Sequence, residues 1–151
     1  MMGAKLDAEK VLADLKGMAA RAAHPKQFYA TSKAVLHRDV MAHFSAEEGP
    51  EGAWKDWSPG TVKARQRGRG GSKILQGSGI MRGSIRPESQ EKNARVFTNL
   101  IYAGVHNRGF PGPDSLGRML NIPKREFMWL SQAGLRTLEQ MGLRFLRDGT
   151  T

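Results

Sequence analysis

The chain has 151 residues, 39% hydrophobic and 25% charged, with 24 basic against 14 acidic side chains for a formal net charge of +10. That length is one domain's worth with a modest core, and the charge calls for an anionic partner: nucleic acid, an acidic protein face or lipid headgroups. The lack of cysteine excludes disulfide, zinc-thiolate and thiol-nucleophile chemistry, and no apolar run reaches the ~18 residues that a membrane-spanning helix needs.

The first residues turn polar too early for a signal peptide, so the expectation is a protein made and used in a cytoplasm. Residues 7–23 read as an amphipathic helix capped by Asp7, with Val11, Leu12, Leu15, Met18, Ala19 and Ala22 recurring at three- and four-residue steps. His24-Pro25 ends it, because a proline ring disfavours helical geometry in the residue before it. A second helix is predicted from Lys26 to Ala46, and the short connection implies an antiparallel helical pair. His37 and His43 on this helix are spaced six apart, which does not put two imidazoles on one face as a metal pair requires. They read as ordinary surface or packing residues.

From Glu47 glycine and proline interrupt the helical period, and the stretch ends on Trp54 and Trp57. Two indoles in a loop are expected to pack on the core or on a neighbour. Ser58-Pro59 then starts a short helix, with serine as the cap and proline in the first turn. A basic loop follows at 63–73, where Lys63, Arg65, Arg67, Arg69 and Lys73 are mixed with three glycines. Arg-Gly segments track phosphates, yet no aromatic is interleaved for base stacking, so a solvated loop or an acidic protein partner competes with nucleic acid. The loop is no Walker motif, because its serine precedes its lysine.

Ile74-Leu75 and Ile80-Met81 suit a broken helical segment hinged at Gly77 and Gly79. Ser84–Ser89 and Asn93–Asn99 read as strands of a hairpin, with Pro87 marking an edge. Leu100–His106 resembles a short helix or strand end. Residues 107–121 read as a Gly/Pro-rich loop. His106 lacks a serine, cysteine or carboxylate partner in the pattern and reads as a neutral imidazole bonded to backbone, while Tyr102 reads as a packing residue. An extended segment, 121–130, leads into a last helix capped by Ser131, with Leu135, Leu138, Met141, Phe145 and Leu146 on its apolar stripe.

The fold class expected is therefore α+β in a single domain spanning 1–151: an N-terminal helical pair, a small antiparallel sheet with a β-hairpin, and a C-terminal helix packed on the sheet. No catalytic constellation, metal spacing or cofactor loop is found, since the acidic residues are scattered.

Four signatures remain: Trp54-Lys-Asp-Trp57-Ser-Pro-Gly-Thr61, Lys73-Ile-Leu-Gln-Gly-Ser-Gly79-Ile-Met-Arg-Gly-Ser84-Ile85, Tyr102-Ala-Gly-Val-His106-Asn-Arg-Gly109 and Asn121-Ile-Pro-Lys-Arg125-Glu-Phe127. In this order they resemble the phage virion morphogenesis family, the tail-completion proteins of Mu-like and P2-like contractile-tailed phages. Gly52, Trp54 and Thr61 match the first family motif. Ile74, Leu75, Ser78, Gly79 and Ser84 match the second, where Met81 replaces the usual leucine. Tyr102, Ala103, His106 and Gly109 match the third, and Ile122, Pro123, Arg125 and Phe127 the fourth. The match spans roughly residues 35–130.

The resemblance implies a non-enzymatic virion subunit, assembled in the host cytoplasm, that forms a ring at the head-proximal end of the tail and helps join tail to capsid. The expected partners are copies of itself in a hexameric ring, tail tube and sheath proteins, head-completion or connector proteins, and DNA passing through the lumen. No membrane is expected to take part. The interface and anchor residues expected are Trp54, Trp57, Tyr102, His106, Ile122, Pro123, Arg125 and Phe127, with the basic loop meeting an acidic partner or DNA. The alternative reading is a basic nucleic-acid-binding protein acting through the Arg/Gly loop.

Overall fold

The computed structural model describes residues 8–67 and 71–151, so the expected cap Asp7 and the loop residue Arg69 lie outside the described residues. Two helices open the chain, α1 at Ala8–Ala23 and α2 at Lys26–Ala46, divided at Pro25 as the sequence predicts. They do not form the expected packed pair. The partner of α1 is the last helix, α6 (Gln132–Asp148), which also packs on α2. Arg21 fixes the contact, its Nε donating to Leu146 O (2.6 Å) and its Nη2 to Arg147 O (2.8 Å). These carbonyls belong to the last turn of α6, which has no helical donors for them and presents the negative end of the helix dipole.

Both ends of α6 are closed chemically. Ser131 Oγ accepts from Gly134 N at 3.0 Å, and Asp39 of α2 accepts from Ser131 N at 2.8 Å and from the Ser131 hydroxyl. Gly149 turns left-handed at the other end and donates its N–H to Phe145 O. The buried face of α6 is Met141 and Phe145, the latter 6.1 Å from the Phe28 ring. Thus the C-terminal helix packs on helices, and the expectation that it covers the sheet is corrected.

The strands form three separate two-stranded hairpins among the described residues in place of one sheet. The first, β1 (Glu48–Gly49) with β2 (Gly52–Ala53), turns the chain after α2. The second, β3 (Arg86–Ser89) with β4 (Ala94–Phe97), is the predicted hairpin, and it packs on α2. The third, β5 (Phe110–Pro113) with β6 (Met119–Ile122), occupies most of the stretch expected to be a loop. Proline and glycine content suggested irregular chain, but a two-stranded hairpin tolerates Pro111 and Pro113 on strands that have no third neighbour to bond. Its turn is held by Asp114, whose Oδ1 accepts from Leu116 N and Arg118 N at 2.9 Å each and whose Oδ2 accepts from Arg118 Nε at 2.7 Å.

Three short helices connect these parts: α3 (Pro59–Gln66), α4 (Ile80–Gly83) and α5 (Ile101–Arg108). Ser58 caps α3 by accepting from Thr61 N, with Pro59 in the first turn, as predicted. Gly79 precedes α4 at φ +73, the hinge conformation expected there, whereas Ile74 and Leu75 lie in a turn and not a helix.

The core is small and sits under the middle of the chain: Val40 and Phe44 from α2, Trp54, Ile74, Met81, Ile85, Ala103 and Phe127. Phe44 is its centre, with Phe127 at 5.0 Å and Trp54 edge-on at 5.7 Å. His43 is also buried, stacked on Trp129 at 4.3 Å with Asp39 3.6 Å from its Nε2, which makes it the packing residue the sequence implied.

Candidate functional site

The extended segment 121–130 ties the first, third and fourth signatures together. Arg125 N donates to His106 O at 2.8 Å, and Asn107 Oδ1 accepts from Phe127 N and Met128 N at 2.9 and 3.0 Å. In the other direction Arg125 Nε donates to Lys55 O and its Nη2 to Asp56 O, both at 2.9 Å, while Trp54 Nε1 donates to Glu126 O at 3.0 Å. Gly109 permits the close approach: at φ +78, a Cβ there would stand 2.9 Å from Lys124 N.

The second signature is held to the end of α2. Lys73 Nζ donates to Ser45 O at 2.9 Å, Gln76 Nε2 to Phe44 O at 2.6 Å, and Ile74 N to the Glu47 carboxylate. The first two of these fill orphan carbonyls of the last turn of α2.

Between the signatures lies a cleft of about 390 Å³. The first signature gives it Trp57, Ser58 and Thr61, and the second Ile74, Leu75 and Met81. Tyr102 and His106 come from the third, and Ile122, Pro123 and Arg125 from the fourth. Among the described residues no aspartate or glutamate lines it. Arg65 of α3 completes the wall, its guanidinium carbon 3.9 Å from the centre of the Trp57 ring.

Arg65 Nε and Nη1 and His106 Nδ1 are buried without a hydrogen-bond partner among the described residues. Burial, and secondarily the charge of Arg125, push the His106 pKa down, so the ring is biased toward the neutral form. The expectation of a neutral imidazole agrees with this direction. The expectation that the ring is bonded to backbone does not hold at Nδ1; it is the main-chain carbonyl of His106 that is engaged, by Arg125 N.

The expected anchors divide into two groups. Trp54 and Phe127, 6% and 1% exposed, are used up inside the chain's own core. Arg125 is buried as well, and it ties the first signature to the fourth. Trp57, Ile122 and Pro123 are half-buried cleft walls, and Tyr102 stands 44% exposed with its ring edge-on to His106.

The basic loop is likewise divided. Lys63 and Arg65 belong to α3, Arg65 lies on Trp57, and Lys73 is spent on α2, which leaves Lys63 and Arg67 as exposed cations among the described residues of the loop. Sequence reasoning missed Asn107, Asp39 and Gln76, since a polar side chain that closes a backbone gap between distant segments leaves no periodic signal.

Among the described residues no group of three or more His, Cys, Asp or Glu side chains is placed to hold a metal, and no helix is long and apolar enough to cross a membrane. Helices, hairpins and interlocked signatures define a small α+β protein with a cationic, apolar-walled cleft. The family model for the phage virion morphogenesis family matches residues 6–147, and the chain belongs to that family. Comparison with curated proteins and with solved structures gave no significant match.

Proposed function

We propose that this chain is a structural subunit of the phage head–tail junction, a tail completion, terminator or neck protein that closes the head-proximal end of the tail and joins it to the capsid. In this reading copies assemble as a hexameric ring on the tail tube, adjoining sheath and head-completion or connector proteins, and DNA passes through its lumen. The observation that carries the reading is membership of the virion morphogenesis family over nearly the whole chain.

Physical features support it. A ring needs two different surfaces on each copy, because head-to-tail contacts are heterologous. Several elements leave apolar side chains in the open, among them α1 with Val11, Leu12 and Leu15, α5 with Ile101 (93% exposed), α6 with Leu143 (69%), and the β5–β6 hairpin with Leu116 (74%) and Met119 (77%). A core this small, with that much apolar surface uncovered, suits a subunit that neighbours complete. The +10 charge suits a position against acidic protein faces or beside DNA.

Native mass measurement of the purified protein tests the assembly. A closed ring of about six chains is expected, and a strictly monomeric species at all concentrations and in the presence of tail tubes would refute it.

A further inference from the structure

We propose that the cleft walled by Trp57, Arg65, His106 and Ile122 is a receptor for a partner protein's segment that presents a carboxylate beside an apolar side chain. This goes beyond ring formation and does not depend on it. The cleft is built for such a group and not for a purely apolar or purely ionic one. Met81 and Ile122 supply apolar wall, while the guanidinium of Arg65 is positioned over the Trp57 ring, its carbon 3.9 Å from the ring centre.

Two of that guanidinium's nitrogens, and His106 Nδ1, are buried with no partner among the described residues. A buried guanidinium donor without an acceptor costs more than one left in water, and a carboxylate entering the cleft would remove that cost. Arg125, also in the lining, adds a second positive charge, although its Nε and Nη2 are occupied by the Lys55 and Asp56 carbonyls.

Charge complementarity selects the occupant. Among the described residues the lining holds arginines and no acidic side chain, and the whole chain is at +10, so a second copy is electrostatically disfavoured and a partner with an acidic face is favoured. A nucleic acid is the weaker fit. The wall is concave and partly apolar, and Trp57, the aromatic beside Arg65, has that arginine on its face in place of a base.

The test uses the full chain, ¹⁵N-labelled, titrated with a capped peptide of alternating leucine and aspartate, with the same peptide carrying asparagine for aspartate, and with a short oligothymidylate. The Trp57 indole N–H, assigned with Trp57→Phe, is followed together with the His106 ring. The acidic peptide is expected to shift both signals and to bind about tenfold more tightly than the amide peptide. Arg65→Gln is expected to abolish that preference while leaving the Trp54 indole signal unmoved, which shows the fold intact. Equal affinity for the two peptides, an acidic preference that survives Arg65→Gln, no binding at all, or an oligothymidylate that binds the cleft more tightly than the acidic peptide would each overturn the proposal.

Discussion

At the residue scale the fold depends on a few side chains that join segments far apart in sequence. Trp54 fills the space beside Phe44 and also donates to Glu126 O, so Trp54→Ala removes both a buried ring and a tie to the extended segment. Urea denaturation should show a loss of about 3–5 kcal/mol; an unchanged midpoint would mean that the indole is not in the core. Arg125→Ala leaves the Lys55 and Asp56 carbonyls without donors and should cost about 2–3 kcal/mol. Arg125→Lys should recover only part of this, because an ammonium lacks the planar fork that reaches both carbonyls.

His106 makes a pH-dependent contribution. Its pKa is lowered in the folded chain, so between the folded value and the ordinary 6.5 the unfolded chain binds more protons. The His106 contribution to stability is therefore complete above pH 6.5 and declines as the pH falls through that window. Melting temperatures of His106→Gln should show less decline from pH 7 to 5 than those of the parent, and parallel profiles would contradict the assigned cause.

At the element scale, the sequence was readable where the signal is local. Pro25 dividing α1 from α2, Ser58-Pro59 starting α3, Ser131 starting α6 and the β3–β4 hairpin all rest on cap, proline or alternation patterns within a few residues, and all are present. What was not readable was pairing at a distance. Nothing local distinguishes an α1 that packs on α2 from one that packs on α6, since the decisive contact is Arg21 reaching carbonyls more than a hundred residues away.

The β5–β6 hairpin was hidden for a different reason. Its prolines and glycines are turn formers by composition, and its order comes from Asp114 closing the turn and from pairing between two strands with no apolar alternation. The site was legible in part: the four signatures named the residues that meet, but not that Trp54 and Phe127 face inward while Trp57 and Tyr102 wall a cleft.

The exposed apolar tip of this hairpin gives a prediction at the same scale. Leu116→Ser with Met119→Ser should leave the melting temperature of the isolated chain within about 1 °C, since such exposed positions lie away from the core. The double variant should nevertheless weaken self-association in sedimentation velocity. Unchanged association would show that the hairpin takes no part in the proposed self-assembly.

At the scale of the whole molecule the chain is strongly basic, with a small core, uncovered apolar side chains on several elements including α1, α5 and β5–β6, and a cleft that none of its own described carboxylates enters. These properties suit a component that reaches its full stability in company. Lys63 on α3 and Arg67 at its C-terminal cap are exposed cations, and in the proposed reading they are where an acidic neighbour or passing DNA is met. Their contribution to binding should fall as salt is raised, because exposed charges are screened.

The most direct measurement is a cryo-electron microscopy reconstruction of the assembled particle with this chain located in the density. The account predicts a closed ring of copies at the head-proximal end of the tail, with α1 or the β5–β6 tip buried between neighbours. Finding the chain elsewhere in the particle, or absent from it, would contradict the account.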